Sequence, residues 1–150
     1  MWNLKPDERL RFWQSFRSRI SSLDKEQAIK EISHLWSYCP FVKYYLTTDN
    51  VKNWPDPWEL IYDNEYCNLA IALGIVYTYY LSDHGQNSMI DIRIFKNRSS
   101  GEQFNTVFID DGKYVLNLVH DTVVNKKHIE SDLQLVRTIT SAELELKHII

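Results

Sequence analysis

A cysteine stands at the start of the most apolar segment of this 150-residue chain. Cys67 is followed by the run Leu69 to Leu81, which is apolar almost all round and so predicts a helix buried on most sides. Asp63 and Asn64 are candidate caps of that helix, which would place Cys67 in its first turn. Free N–H groups and the positive end of the helix macrodipole stabilise a thiolate there. Cys67 is therefore the candidate nucleophile.

Three further helices are predicted from caps and apolar spacing. Pro6 begins the first, and Asp24 begins a second whose inward stripe runs to Cys39. Asp56, followed by proline at the first helical position, begins a short third helix before the central one. Trp54 and Trp58 bracket this start, so they either cover the entry to the central helix or form an exposed contact patch for a partner protein.

The second half of the chain changes to the two-residue period of strands. A tight hairpin is predicted at Asp111-Gly112, and a short closing helix is predicted over Ser141 to Ile150. The four predicted strands are Met89–Phe95, Gln103–Asp110, Lys113–Val119 and Leu133–Ile139. We therefore expect one α+β domain, with a helical part over about 1–82 and an antiparallel sheet over about 88–140 packed on the central helix.

The hairpin turn fixes which strand residues face each other. With Asp111-Gly112 as the turn, the numbers of paired residues sum to 223. One face then carries apolar residues near the turn, namely Val107, Ile109, Tyr114, Leu116 and Leu118. The same face carries polar residues at its far end, namely Gln103, Asn105 and His120. If the start of the central helix lies at that end, Cys67 meets His120, Asn105 and Gln103.

A helix-start cysteine after a Trp-rich segment, followed by an Asp-Gly-Lys-aromatic turn, resembles the core of the transglutaminase-like branch of the papain-like cysteine superfamily. In that family the cysteine is the nucleophile, a histidine before the turn activates it, and an Asp or Asn after the turn orients the histidine. Only Cys67 matches directly. Gln103 and Asn105 stand where the histidine is expected, which implies a degenerate site. After the turn the chain has Asn117, His120 and Asp121.

The segment from Trp54 to Cys67, with the Ala-Leu-Gly helix after it, also resembles small proteins of tailed bacteriophages. This resemblance implies a virion component, for instance at a neck or baseplate, or a protein acting in the host cytoplasm. Its partners would be protein subunits, including other virion proteins. The first hypothesis is thus a non-catalytic structural or accessory protein that acts by protein–protein binding, and an inhibitor of a host protein is a further alternative.

The enzymatic alternative is a cysteine-dependent amide hydrolase or acyltransferase. Cys67 would attack a carboxamide, His120 would move the proton, and Asn105 or Gln103 would orient the histidine or bind the oxyanion.

Composition argues against several other classes of function. The net charge is −3 with no basic run, which disfavours nucleic acid. The central apolar run is too short for a membrane span, and the N-terminus lacks the regions of a signal peptide. Cys39 and Cys67 form no CxxC pair and have no histidine at ligand spacing, so no metal site and no cofactor is expected. Cys39 is interpreted as a core residue.

Overall fold

The computed structural model describes residues 1–149. Helices come first and strands second, as predicted. The helices are α1 (Pro6–Ser21), α2 (Lys25–Trp36), α3 (Pro57–Asp63) and α4 (Asn68–Tyr80). The strands are β1 (Ile90–Asn97), β2 (Gln103–Ile109), β3 (Tyr114–Val119), β4 (Thr122–Val124) and β5 (Leu133–Thr140). Short 3₁₀ turns cover Val51–Asn53, Lys126–His128 and Leu146–His148.

The five strands form one antiparallel sheet in the order β4-β3-β2-β1-β5. Strands β1 to β4 are a meander, because each pairs with the next one in the sequence. The chain then returns to place β5 beside β1, at the opposite edge from β4. The α+β class and the antiparallel sheet against the central helix are confirmed.

Two of the predicted helix caps are present. Asp24 accepts a hydrogen bond from the Gln27 amide at 2.8 Å, and Asp56 forms a reciprocal capping box with Glu59. The prediction that Asp63 and Asn64 cap the central helix is wrong. Asn64 is left-handed, at φ 55°, and ends α3 instead.

Helix α4 lies in the centre of the main core, where it contacts α2, α3 and strands β1 to β3. One hydroxyl joins three helices there. Thr78 of α4 accepts hydrogen bonds from the indole nitrogens of Trp13 and Trp36, each at 3.0 Å, and donates to the carbonyl of Gly74 at 2.7 Å. A Cβ atom on Gly74 would lie 2.1 Å from the Trp36 ring, so only glycine allows α2 to approach this closely.

The predicted hairpin register holds next to the turn. Val107 pairs with Leu116 and Ile109 pairs with Tyr114, so both pairs sum to 223. The pairing of β3 with β2 ends at Leu116, and the next residue, Asn117, is left-handed at φ 62°. This irregularity turns Leu118 to the other face of the sheet, where it packs with a second apolar cluster. The prediction that Leu118 shares the inner face is therefore wrong.

The C-terminal part differs from the prediction in two further ways. Strand β4 was not predicted, because its three residues are too few to show an alternating pattern. The predicted closing helix over Ser141 to Ile150 is reduced, within the described residues, to the 3₁₀ turn Leu146–His148. Ile150 itself lies outside the described residues.

Candidate functional site

Cys67 is the N-cap residue of α4, so it lies one position before the first turn in which it was predicted. Its side chain is 5% exposed. The sulfur does not cap the helix. It accepts a hydrogen bond from the amide of Leu46 at 3.4 Å instead, and the Leu46 carbonyl oxygen is 4.0 Å away. The loop before α3 therefore covers the candidate nucleophile.

The two polar residues of β2 contact each other. Asn105 is buried, and its Oδ1 accepts a hydrogen bond from Nε2 of the exposed Gln103 at 3.0 Å. These are the positions where the family resemblance places a histidine. Both side chains are neutral amides, so neither can take a proton from a thiol at ordinary pH.

Asn117 joins these strand residues to the start of α4. Its Nδ2 donates to the backbone carbonyl of Asn105 at 2.8 Å and lies 3.4 Å from the carbonyl of Asn68, the first residue of the helix. The left-handed backbone of Asn117 aims the side chain this way. Asparagine is among the few residues that adopt this conformation readily, which is the sequence signal that could have identified it. Asn117 thus links the backbone of β2 at Asn105 to the start of α4, while the convergence of Gln103 and Asn105 on Cys67 stays a prediction.

His120 lies in the tight turn between β3 and β4. It is exposed, and its ring packs edge-on against Tyr38, with 5.9 Å between the ring centroids. Within the described residues, no hydrogen bond joins its imidazole to Cys67. Its assignment as the base of a catalytic pair therefore stays a prediction.

The neighbouring Asp121 attaches this turn to α2. Its carboxylate is 3.0 Å from His34 Nδ1 and accepts a hydrogen bond from the Tyr38 hydroxyl at 3.3 Å. Its amide donates to the Ser37 hydroxyl at 3.0 Å. In the family pattern an acidic residue after the turn orients the catalytic histidine. Asp121 instead contacts a histidine of α2, which sequence reasoning did not predict because the two residues are 87 positions apart.

A cavity of about 210 Å³ lies between the end of α2, the start of α4 and β3. Its polar lining comes from Ser33, Ser37, Asn68, Asn117, His120 and Asp121. Its apolar lining includes Cys39, Phe41 and Val119, but not Cys67. Burial raises the pKa of the Cys39 thiol to about 12, so this cysteine stays protonated and is no alternative nucleophile.

The two tryptophans predicted as a contact patch differ in exposure. Trp54 is half-buried against the main core, and its indole donates to the Thr47 carbonyl at 2.9 Å. It therefore fixes the loop that leads into α3. Trp58 is 43% exposed on the outer side of α3, where a partner can contact it.

No cluster of three or more His, Cys, Asp or Glu side chains with metal-binding geometry occurs in residues 1–149. None of the helices in that range combines the length and the apolar character that crossing a membrane requires.

No protein-family profile and no curated protein sequence matches this chain. Solved structures of LapG from Legionella pneumophila do match in three dimensions, with a TM-score of 0.69 and 11% sequence identity. The match covers 91% of this chain and 75% of one LapG chain; it covers 74% of an EGTA-treated form and 77% of a calcium-bound form. LapG has a cysteine protease-type, transglutaminase-like fold. At this low sequence identity the likeness shows the fold alone. The fold of this chain fits the α+β core of the transglutaminase-like proteins.

Proposed function

We propose that this protein is a non-catalytic binding protein built on a transglutaminase-like fold, with other proteins as its partners. One observation carries the proposal: the strand before the hairpin turn has Asn105 and Gln103 and no histidine, although Asn117 links this strand to the start of the cysteine helix. A cysteine without an adjacent base loses most of its activation.

The positions of the other histidines support this interpretation. The chain has five histidines, and none lies on β2. They are His34, His84, His120, His128 and His148. His34 contacts Asp121 and His84 contacts the Ile20 carbonyl, so both are engaged away from Cys67. The loop contact from Leu46 further restricts access to the sulfur.

A binding role also needs an accessible surface of suitable chemistry. Phe41, which is 61% exposed, and exposed Val119 both line the 210 Å³ cavity, and Tyr38, which is 59% exposed, packs against His120 of the same lining. Aromatic residues around a cavity that can take one side chain are typical of protein interfaces. Trp58 on α3 is a second exposed aromatic contact. A place in a phage virion, at a neck or baseplate, is the more specific form of this proposal and depends on the sequence resemblance alone.

The decisive experiment is the rate of iodoacetamide labelling at Cys67 as a function of pH, in a Cys39→Ser background. We expect labelling at pH 7 to be at least roughly tenfold slower than in the urea-unfolded chain, because the sulfur must first be uncovered. We also expect His120→Ala and the control His128→Ala to leave the rate unchanged. Fast labelling at neutral pH that is lost only in His120→Ala would overturn the proposal.

That opposite result would establish the second candidate, a cysteine-dependent amide hydrolase or acyltransferase. Its support is the location of Cys67 directly before a buried helix, with Asn117 bringing the helix start and β2 together. Inhibition of a host protein would use the same non-catalytic chemistry as the first proposal and differs only in the partner.

A further inference from the structure

The two edges of the sheet are protected to very different degrees. Strand β4 has only three residues, and its pairing with β3 is irregular. Strand β5 has eight residues, with Leu135 49% exposed and Val136 60% exposed. Short or irregular edge strands resist pairing with other chains, whereas a long apolar edge favours it. The β5 edge is therefore the place where another strand can add to the sheet.

The direction of the β5 backbone groups follows from β1. The amide of Asn97 donates toward β2, to Glu102, at 2.8 Å, and the next amide, of Arg98, donates to Asp132 on the β5 side at 3.0 Å. Even-numbered β1 residues therefore direct their backbone groups to β5, since these groups alternate along a strand. Their partners on β5 are Gln134, Arg137 and Ile139. The residues directed outward are Leu133, Leu135, Thr138 and Thr140.

At each end of this outward row, one of the two backbone groups is already hydrogen-bonded within the same chain. The amide of Leu133 donates to the Glu130 carbonyl at 3.1 Å, and the carbonyl of Thr140 accepts from the Leu144 amide at 3.0 Å. Six outward backbone groups on each chain therefore remain free to bond a partner strand. On each chain these are the carbonyl of Leu133, the amide of Thr140, and both groups of Leu135 and of Thr138.

We propose that β5 pairs with β5 of a second copy of this chain, antiparallel and about a two-fold axis, so that paired residue numbers sum to 273. Leu135 then faces Thr138 of the other copy, and Leu133 faces Thr140. This register forms six hydrogen bonds between the copies. It also places the satisfied Leu133 amide opposite the satisfied Thr140 carbonyl, so every outward group of these four residues has a partner.

The bulge in β5 makes this register possible. Ile94 pairs with Arg137 and Phe95 pairs with Leu135, so Val136 is the extra residue. The extra residue changes the outward positions from odd to even numbers after Val136. Only the sum 273 then matches all four outward residues of one copy with those of the other. Val136 and Arg137 lie at the two-fold axis.

The charges near the axis are compatible with two identical chains. Arg137 is the only charged residue of β5, and its guanidinium bonds Glu143 and the Thr48 carbonyl of the same chain. Each copy thus brings a balanced ion pair to the axis, where Val136 of one copy faces Arg137 of the other. A second copy fits this edge without unpaired like charges.

Sedimentation velocity of the full chain over a concentration series tests this pairing. We expect a concentration-dependent dimer whose dissociation constant rises at least about tenfold in Val136→Lys, which places two cations at the axis, and in Thr138→Pro, which removes two of the six hydrogen bonds. Pro is tolerated there because its lost N–H points outward. Met89→Lys is the matched control, since Met89 is equally exposed at 60% and lies outside β5.

A monomer at every concentration would overturn the proposal, including a monomer that takes up an extended peptide at β5. A dimer that Val136→Lys leaves intact would also overturn it, because another surface would then hold the copies together. Val136 is exposed and needs no repacking, so this variant decides the matter even if Thr138→Pro fails to fold. The test does not depend on whether Cys67 is reactive.

Discussion

Replacing Thr78 with valine tests whether one hydroxyl holds three helices together. Thr78→Val keeps the shape of the side chain but leaves the indole N–H groups of Trp13 and Trp36 without an acceptor in a buried site. Each of the two unsatisfied buried donors costs about 1–3 kcal/mol, so the free energy of unfolding should fall by about 2–6 kcal/mol. A domain of this kind has only about 5–15 kcal/mol in total, so the loss is a large share of its stability.

Urea unfolding followed by circular dichroism measures this effect. With a slope of about 2 kcal/mol per molar urea, the midpoint should drop by roughly 1–3 M while the slope stays constant. Thr78→Ser is the control, because it keeps the hydroxyl and removes one methyl group, at a cost of about 1 kcal/mol. Equal losses in the serine and valine variants would refute the reasoning, since they would show that the shared acceptor contributes nothing beyond packing.

Three further predictions concern the same core and its surroundings. Gly74→Ala should destabilise the fold by about 1–3 kcal/mol in urea unfolding, although alanine favours helices, because the new methyl group overlaps Trp36; equal stability would contradict this. Arg9→Met should cost about 2–4 kcal/mol because buried Arg9 donates to the Leu4 carbonyl before α1 and to two carbonyls within α3, whereas exposed Arg11→Met should change stability by less than about 0.5 kcal/mol. Burial raises the pKa of Cys39 from 9.0 to about 12, so its thiol ionises first in the unfolded chain. The free energy of unfolding should therefore fall as pH rises from 9 toward 12, and Cys39→Ala should make this dependence on pH weaker.

The local signals in the sequence predicted much of the fold. The caps at Asp24 and Asp56 and the register beside the Asp-Gly turn depend on residues three or four positions apart, so a linear sequence shows them directly. Asn64 was misassigned because an asparagine before a helix can either cap that helix or end the preceding one. Its left-handed backbone, which selects the second role, is a three-dimensional property.

The candidate site was harder to predict because its geometry depends on one backbone irregularity. A regular β3 would keep Leu118 on the inner face and extend the pairing to His120. The left-handed Asn117 breaks this alternation, and the following turn attaches to α2 through Asp121. A contact between residues 87 positions apart leaves no periodic signal in either segment. The cysteine and the amides of β2 precede the irregularity, so the reasoning about their positions is not affected by it.

The strand order has a consequence for how the chain folds. Strands β1 to β4 can form one after another as neighbouring hairpins, whereas β5 must close a loop of more than thirty residues to reach β1. Ile129 and Leu133 pack against Phe95 and Phe108 only once that loop has closed. The outer apolar cluster therefore completes late in folding, and β1 is the transient edge of the growing sheet. Weakening the cluster should speed unfolding far more than it slows folding.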